Sequence, residues 1–353
     1  MLRRSYAVPQ FLAAGRVPAP TVGRGPRSNL SRKPQFDNST EMILTVTIAP
    51  CIDKSVFIDK LRVGKIIRAQ SSKEIAGGKG VNVSRLVNNL GGNTLALVAV
   101  AGLYGEKICE LINNQDGFPL VPIWISGESR TITTVLDTSK HIQTAYVEPS
   151  ALLNAKDRKK IMDTYLKYLP ESNFVVLSGS IPDGKQSDIF YQMILLAKKK
   201  NKRVILDSRG EALKLGVKAK PFMVKPNIEE AGCILSKKLN KLDEYWECVD
   251  YCINTGIELV VLTLGKKGAL AGYKDKRWQL TPPEIREINP VGSGDALVAG
   301  IAVSILDGKN MEYAVKYGLA AAVANASIWD ACYSKNKDIL RFFDRVKMVK
   351  REG

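Results

Sequence analysis

The sequence predicts an α/β protein: a mostly parallel sheet covered on both faces by helices, with a second, smaller sheet beside it. Three observations carry this. From residue 151 onward, helical stretches alternate with short apolar strands, the order that builds a parallel sheet. The chain has 353 residues and is 45% apolar, enough for a large core. Strands with polar interruptions cluster in two separate insertions, 53–75 and 120–147.

Residues 1–41 read as a leader and not as fold. They are rich in Arg, Pro, Gly and Ser, hold only Asp37 and Glu41 as acids, and lack periodicity. A transit peptide or a vector-derived leader has this composition. Met42–Ile48 is a β-branched strand ending at Ala49-Pro50. Val56–Ile58 and Ile66–Ile75 follow as strands solvated on one face. Gly77-Gly78-Lys79-Gly80 opens a helix, Val81 to Leu90, closed by Gly91-Gly92. Thr94–Val100 is a buried strand and Tyr104–Asn113 a helix. Val121–Ile125, Thr131–Leu136 and Ile142–Val147 resemble the 56–75 pair, giving five strands of one small sheet. Helix 155–168 then precedes strand Phe174–Leu177, and helix 186–200 precedes strand Arg203–Leu206. Strand Phe222–Val224 leads into helix 228–236, and helix 242–255 precedes strand Glu258–Thr263. Strands near 269–273 and 277–280 and helices 294–307, 310–328 and 335–347 close the chain. The core is thus expected over 42–52, 76–119 and 148–350.

Composition excludes several classes. No run approaches the roughly 20 apolar residues that span a membrane. The six cysteines form no CxxC pair and no Cys/His cluster, so a structural zinc is not expected and a reducing cytoplasm is the default. His141 is the single histidine, and no nucleophile elbow accompanies it, which argues against a Ser-His-Asp hydrolase. GxxxxGK followed by Ser or Thr does not occur, which argues against a P-loop kinase. The net charge is +17. A basic nucleic-acid-binding protein is the reading from another class. However, Lys198-Lys199-Lys200 and Lys237-Lys238 fall on helix surfaces without interleaved aromatics.

Ligands of such sheets lie at the carboxyl ends of the strands. Asp53, Ser178-Gly179-Ser180, Asp207, Lys225-Pro226-Asn227 and Leu264-Gly265 all fall there. Asn289-Pro290-Val291-Gly292-Ser293-Gly294-Asp295 is a glycine turn running into a helix. The N–H groups of Gly292, Ser293 and Gly294 suit an anion at that helix start. Asp295 beside them is either a simple helix-capping acid or a base for phosphoryl transfer, where a carboxylate of low pKa suffices. Gly77-Gly78-Lys79-Gly80-Val81-Asn82 is either a tight turn with an exposed Lys79 or a substrate cradle using Lys79 and Asn82. Arg130 is a surface residue unless the small sheet covers a phosphate. Asn227 and Glu230, three apart, fit a capping box, and equally a water-mediated hold on a magnesium–nucleotide.

Together these residues resemble the PfkB (ribokinase-like) carbohydrate kinases over residues 42–349. The resemblance rests on Ala76-Gly77-Gly78-Lys79-Gly80-Val81-Asn82-Val83-Ser84, Lys225-Pro226-Asn227-Ile228-Glu229-Glu230 and the 289–295 turn. Gly78-Lys79-Gly80 and Arg130 after Gly127-Glu128-Ser129 are similar to the branch acting on sugar phosphates, 1-phosphofructokinase and tagatose-6-phosphate kinase. The family fold is a three-layer αβα sandwich with a small β-sheet lid, often a dimer clasp. The resemblance implies that Asp295 is the base, with Gly292, Ser293 and Gly294 as the anion hole. It implies that Asp53, Gly77, Gly78 and Asn82 hold the sugar while Lys79 and Arg130 meet its phosphate. Lys225, Asn227 and Glu230 would orient Mg²⁺ and ATP, with Asn227 and Glu230 reaching the metal through water. Thr263, Gly265 and Gly268 would line the nucleotide groove, and Asn325 would lie near the adenine. The implied activity is conversion of fructose 1-phosphate to fructose 1,6-bisphosphate, with tagatose 6-phosphate the alternative substrate. A cytoplasmic homodimer joined through the lid is expected, with no nucleic-acid or membrane partner.

Overall fold

The computed structural model describes residues 41–351, His141 and Asp183 excepted. All of the expected leader but Glu41, and the lone histidine, lie outside the described residues. The chain runs β1 (Met42–Thr47), β2 (Cys51–Ile58), β3 (Ser71–Gly77), α1 (Lys79–Asn89), β4 (Asn93–Val100), α2 (Gly102–Leu111) and β5 (Leu120–Trp124). It continues with β6 (Arg130–Asp137), β7 (Ile142–Val147), α3 (Ala155–Tyr168), β8 (Phe174–Ser178), α4 (Ile189–Lys199), β9 (Arg203–Asp207) and α5 (Gly210–Lys218). Then come β10 (Met223–Val224), α6 (Ile228–Leu235), α7 (Leu242–Asn254), β11 (Leu259–Thr263), β12 (Ala269–Tyr273) and β13 (Lys276–Thr281). Helices α8 (Ser293–Leu306), α9 (Met311–Ala326) and α10 (Asn336–Phe343) precede β14 (Lys347–Lys350).

Ten strands form one sheet in the order β14-β13-β12-β11-β10-β9-β8-β1-β4-β5. Strands β5 to β11 in that order pair in parallel, and β12, β13 and β14 add an antiparallel edge. Strand β1 is buried along its whole length because helices cover both faces. The second sheet has the order β3-β2-β6-β7, with β2 parallel to β6. This is the ribokinase-like α/β architecture.

Helices α8 and α9 are apolar nearly all round and sit in the main core. Small side chains let them approach closely. A Cβ on Gly300 would come 3.1 Å from the Gly318 Cα. This packing fixes the first turn of α8 at the carboxyl edge of the sheet.

Four expectations are corrected. Leu120–Trp124 belongs to the large sheet, paired in parallel with β4, so the small sheet has four strands and not five. As an edge strand β5 carries Pro122 and an exposed Trp124, which gives it the look of a lid strand. Strands β2 and β3 begin and end at Cys51 and Gly77, two residues outside the expected lid segment 53–75. Helix α5 was not expected, because glycines at its start and interior hide its period. The last helix stops at Phe343, and the charged segment Lys347–Lys350 is an edge strand against β13.

Candidate active site

Helix α8 starts from Gly292, whose φ of 80° is left-handed and open to glycine at little cost. A Cβ there would stand 2.8 Å from the Ala331 Cβ. No side chain caps this helix start: Ser293 N–H donates to Pro290 O at 3.1 Å within the turn, and Gly292 and Gly294 line the first cavity. The turn is braced from behind. Asn325 donates to Val291 O at 2.8 Å and to Ser293 Oγ at 3.0 Å, and its oxygen accepts from Cys332 N at 2.6 Å. Asn325 is 1% exposed. Its Nδ2 holds the turn and its Oδ1 holds the Cys332 N–H, and Asn325 lines neither of the two cavities described below.

Asp295 lies in the first turn of α8 and is buried. Asn82, on α1, donates Nδ2 to Asp295 Oδ2 at 2.8 Å. Helix α1 begins where Gly78, with φ 119°, lets the chain pass Thr47 and Pro50. Lys79 Nζ stands 2.8 Å from Asp207 Oδ1, and Lys225 Nζ 3.2 Å from the same oxygen. Burial alone would raise Asp207, but Lys225 and Lys79 outweigh it and hold the carboxyl below its ordinary value. Asp295 is pushed up to about 7. Burial is the main cause and Asp207 adds to it, while Lys79, the Asn82 N–H and Lys225 pull the other way. A carboxylate so placed can take a proton near neutral pH.

On the lid side, Cys51 Sγ donates to Asp53 Oδ1 at 3.4 Å. Burial raises the Asp53 carboxyl, tempered by that bond and by Arg85 and Arg130. Gly77 does not reach the cleft itself; any side chain there would collide with the Asp53 carboxylate. Arg130 is half-buried. Its Nη1 donates to Glu148 O at 3.5 Å, and its buried Nε has no hydrogen-bond partner among the described residues. Asp53, Gly78, Lys79, Asn82, Arg130 and Asp295 all line one cavity of about 620 Å³.

A second cavity of about 910 Å³ lies across the glycine turn, and Thr263 and Gly294 line both. Gly265, Gly268 and Ser293 form part of its wall, with Ile285, Leu297 and Leu319 as apolar lining. A flat apolar group fits such a wall while an attached polyanion reaches the turn. A Cβ on Gly294 would stand 3.2 Å from Lys225 Nζ, a contact the flexible lysine can relieve by moving slightly. Asn227 and Glu230 form the reciprocal capping box of α6, at 2.9 and 2.8 Å, and both also line the first cavity. Burial raises the Glu230 carboxyl, with Lys79 and Lys225 opposing.

Three groups escaped the sequence reading. Asp207 was placed at the sheet edge without a role, and its pairing with two lysines needed the fold. Arg85 and Asp116 form a fully buried ion pair behind Asn82, and nothing in their spacing announces it.

An uncapped helix start beside a proton-accepting carboxylate, two lysines and two connected cavities is the equipment of a kinase acting on a small polar acceptor. The family model described as pfkB family carbohydrate kinase matches residues 42–335, and the chain belongs to that family. It is therefore a carbohydrate kinase, with ATP as the phosphoryl donor the family implies. A tagatose-6-phosphate kinase from Staphylococcus epidermidis is 33% identical over 291 residues, covering 81% of this chain and 92% of that protein. Phosphofructokinase-2 from Escherichia coli, in complex with fructose-6-phosphate, superposes with a TM-score of 0.79 at 26% identity, covering 87% of this chain and 99% of its own. A possible 1-phosphofructokinase from Thermotoga maritima shares the fold, with a TM-score of 0.82 at 24% identity over 88% and 100% of the two chains.

Proposed function

We propose that the chain phosphorylates a ketohexose phosphate with Mg²⁺ and ATP, taking fructose 1-phosphate to fructose 1,6-bisphosphate. The observation that carries this is Arg130, which lines the same cavity as Asp295 and whose buried Nε has no hydrogen-bond partner among the described residues. An incompletely bonded guanidinium on the cavity wall suits a phosphate on the sugar, which accepts from such a fork. Lys79 adds positive charge on the same wall, although Asp207 already holds part of its ammonium.

In this reading Asp295 takes the proton from the acceptor hydroxyl as its oxygen bonds the γ-phosphorus. The bond from that phosphorus to the β–γ bridging oxygen breaks, and ADP leaves with the electron pair. The N–H groups of Gly292 and Gly294 meet the charge on the transferred group, and that of Ser293, which donates to Pro290 O at 3.1 Å, would have to leave that bond to join them. Asp53, Gly78 and Asn82 hold sugar hydroxyls. Thr263, Gly265 and Gly268 flank the nucleotide, and Lys225 reaches its phosphates. Among the described residues no three His, Cys, Asp or Glu side chains converge as a metal site. Asn227 and Glu230 would accordingly meet Mg²⁺ through water, the ion screening the phosphate charges once bound.

Tagatose 6-phosphate is the second reading, favoured by the 33% identical relatives that carry that name. The lid offers a dimer surface: Ile142 and Tyr146, on one face of β7, are exposed. No helix of the described residues is long and apolar enough to cross a membrane, and a cytoplasmic setting is proposed with the rest.

The test is a coupled ATP-consumption assay with fructose 1-phosphate, tagatose 6-phosphate, fructose 6-phosphate and free fructose in parallel. One phosphorylated sugar is expected to reach kcat/KM of about 10⁴ M⁻¹s⁻¹ or more. Preference for free fructose would remove the role given to Arg130.

A further inference from the structure

Arg85 is the largest fully buried side chain among the described residues and touches neither cavity. It lies one turn after Asn82 on α1. Its Nε and Nη2 donate to the two oxygens of Asp116 at 2.7 and 2.9 Å, a bidentate pair. Nη1 donates to Asn82 Oδ1 at 2.7 Å and to Ala331 O at 3.4 Å, and Nη2 also reaches Ala76 O. The Tyr333 ring lies over the guanidinium with its centroid 4.9 Å away, and its hydroxyl donates to Asp116 Oδ1 at 2.5 Å. For stability alone, a buried pair of this kind is replaceable by apolar residues. Its contacts point to a positional role.

A guanidinium only donates. The Asn82 atom facing it must be the carbonyl oxygen, so the amide N–H₂ must face Asp295. Turned the other way, Asn82 would set its carbonyl against the carboxylate. The same guanidinium also holds Ala331, whose Cβ packs under Gly292, and Cys332 beside it donates Sγ to Gly292 O at 3.4 Å.

We propose that Arg85 is a positioning residue for phosphoryl transfer. It fixes Asn82 with its N–H₂ toward Asp295 and ties that donor to the segment under the anion-binding turn. The inference rests on reading Asp295 as the acceptor base. The groups facing Asp295 are Lys79 and Asn82 from α1, Asp207 from β9, Lys225 after β10 and Cys332 after α9.

The test follows the Asp295 carboxyl in the ligand-free full chain by difference infrared titration, with Asp295→Asn as the reference. Arg85→Lys keeps a charge for Asp116 but cannot serve Asp116 and Asn82 together. Its titration midpoint should rise by about one pH unit, a tenfold gain in proton affinity. The acidic limb of kcat/KM for the sugar, which reports the free enzyme, should move with it while KM for ATP stays within about twofold. A purely structural brace would lower activity or melting temperature and leave the midpoint in place. A folded Arg85→Lys protein with the wild-type midpoint refutes the inference. If Arg85→Lys does not fold, Arg85→Leu with Asp116→Leu removes both buried charges at once, and an unmoved midpoint there refutes it equally. A midpoint that moves in a protein inactive on all four sugars leaves the positioning standing and sinks the acceptor reading instead.

Discussion

Asn82 donates to Asp295 at 2.8 Å, joining residues 213 positions apart in the chain. That contact sets one amide of the sugar-side wall against one carboxylate of the anion-side helix. Asp295→Asn keeps the size of the side chain and removes its ability to accept a proton. Turnover should fall by about 10²–10⁴-fold, the usual contribution of a positioned base. ATP affinity by calorimetry should change little. Retained turnover would move the base elsewhere.

The pH dependence follows from the same group. The folded value of Asp295, about 7, lies above the ordinary 3.8, chiefly because burial disfavours the charge. Its contribution to stability is therefore complete below 3.8 and lost as pH rises through about 7. On the proposed role the ionised form is needed, so kcat/KM should climb toward about pH 7 and then level off. The melting temperature of Asp295→Asn relative to wild type should rise between about pH 4 and pH 7 and then hold. A kcat/KM flat across that range contradicts the assignment.

Arg130→Met should raise KM for the phosphorylated sugar by about 10–100-fold, the loss of about 1.5–3 kcal/mol from a charge-assisted bond. KM for ATP should stay unchanged. Free fructose, which has no phosphate to lose contact with, should be used no less well. An equal loss on both sugars would mean that Arg130 shapes the cavity and grips nothing.

The glycines of the turn separate space from strain. Gly292→Ala meets both a left-handed φ of 80° and the Ala331 Cβ at 2.8 Å. The φ alone costs about 1–2 kcal/mol, and kcat should fall about tenfold or more. Gly294→Ala meets only the movable end of Lys225 at 3.2 Å and should be milder. Gly179→Ala, at φ 105° with open space around it, reports the strain without the collision. Comparable kcat for Gly292→Ala and Gly294→Ala would show that the shape of the turn is not what transfer depends on.

What the sequence revealed and concealed follows from where each signal lies. The alternation of helices with apolar strands such as Phe174–Ser178 is local, and it named the architecture. The capping box of Asn227 and Glu230 is also local and appears as read. Edge strands mislead, because half-exposed Leu120–Trp124 carries the pattern of a lid strand while hydrogen-bonding to β4. Asn325 was singled out only through the resemblance, and its partners Val291, Ser293 and Cys332 are set by tertiary packing. Arg85 and Asp116 lie 31 residues apart on different elements, and no periodicity links them.

The distance in sequence between Asn82 and Asp295 also has a meaning in time. During synthesis the ribosome delivers Asp53, Asn82 and Arg85 early, and Asp295 only after most of the chain has emerged. Ala331 and Tyr333, which close around Arg85, come later still. A nascent or prematurely terminated polypeptide thus carries Asn82 and Arg85 without the carboxylate and the glycine turn they meet in the folded chain. With Asp295 as the base, as proposed, competence would arrive only as translation passes that residue and the segment behind it.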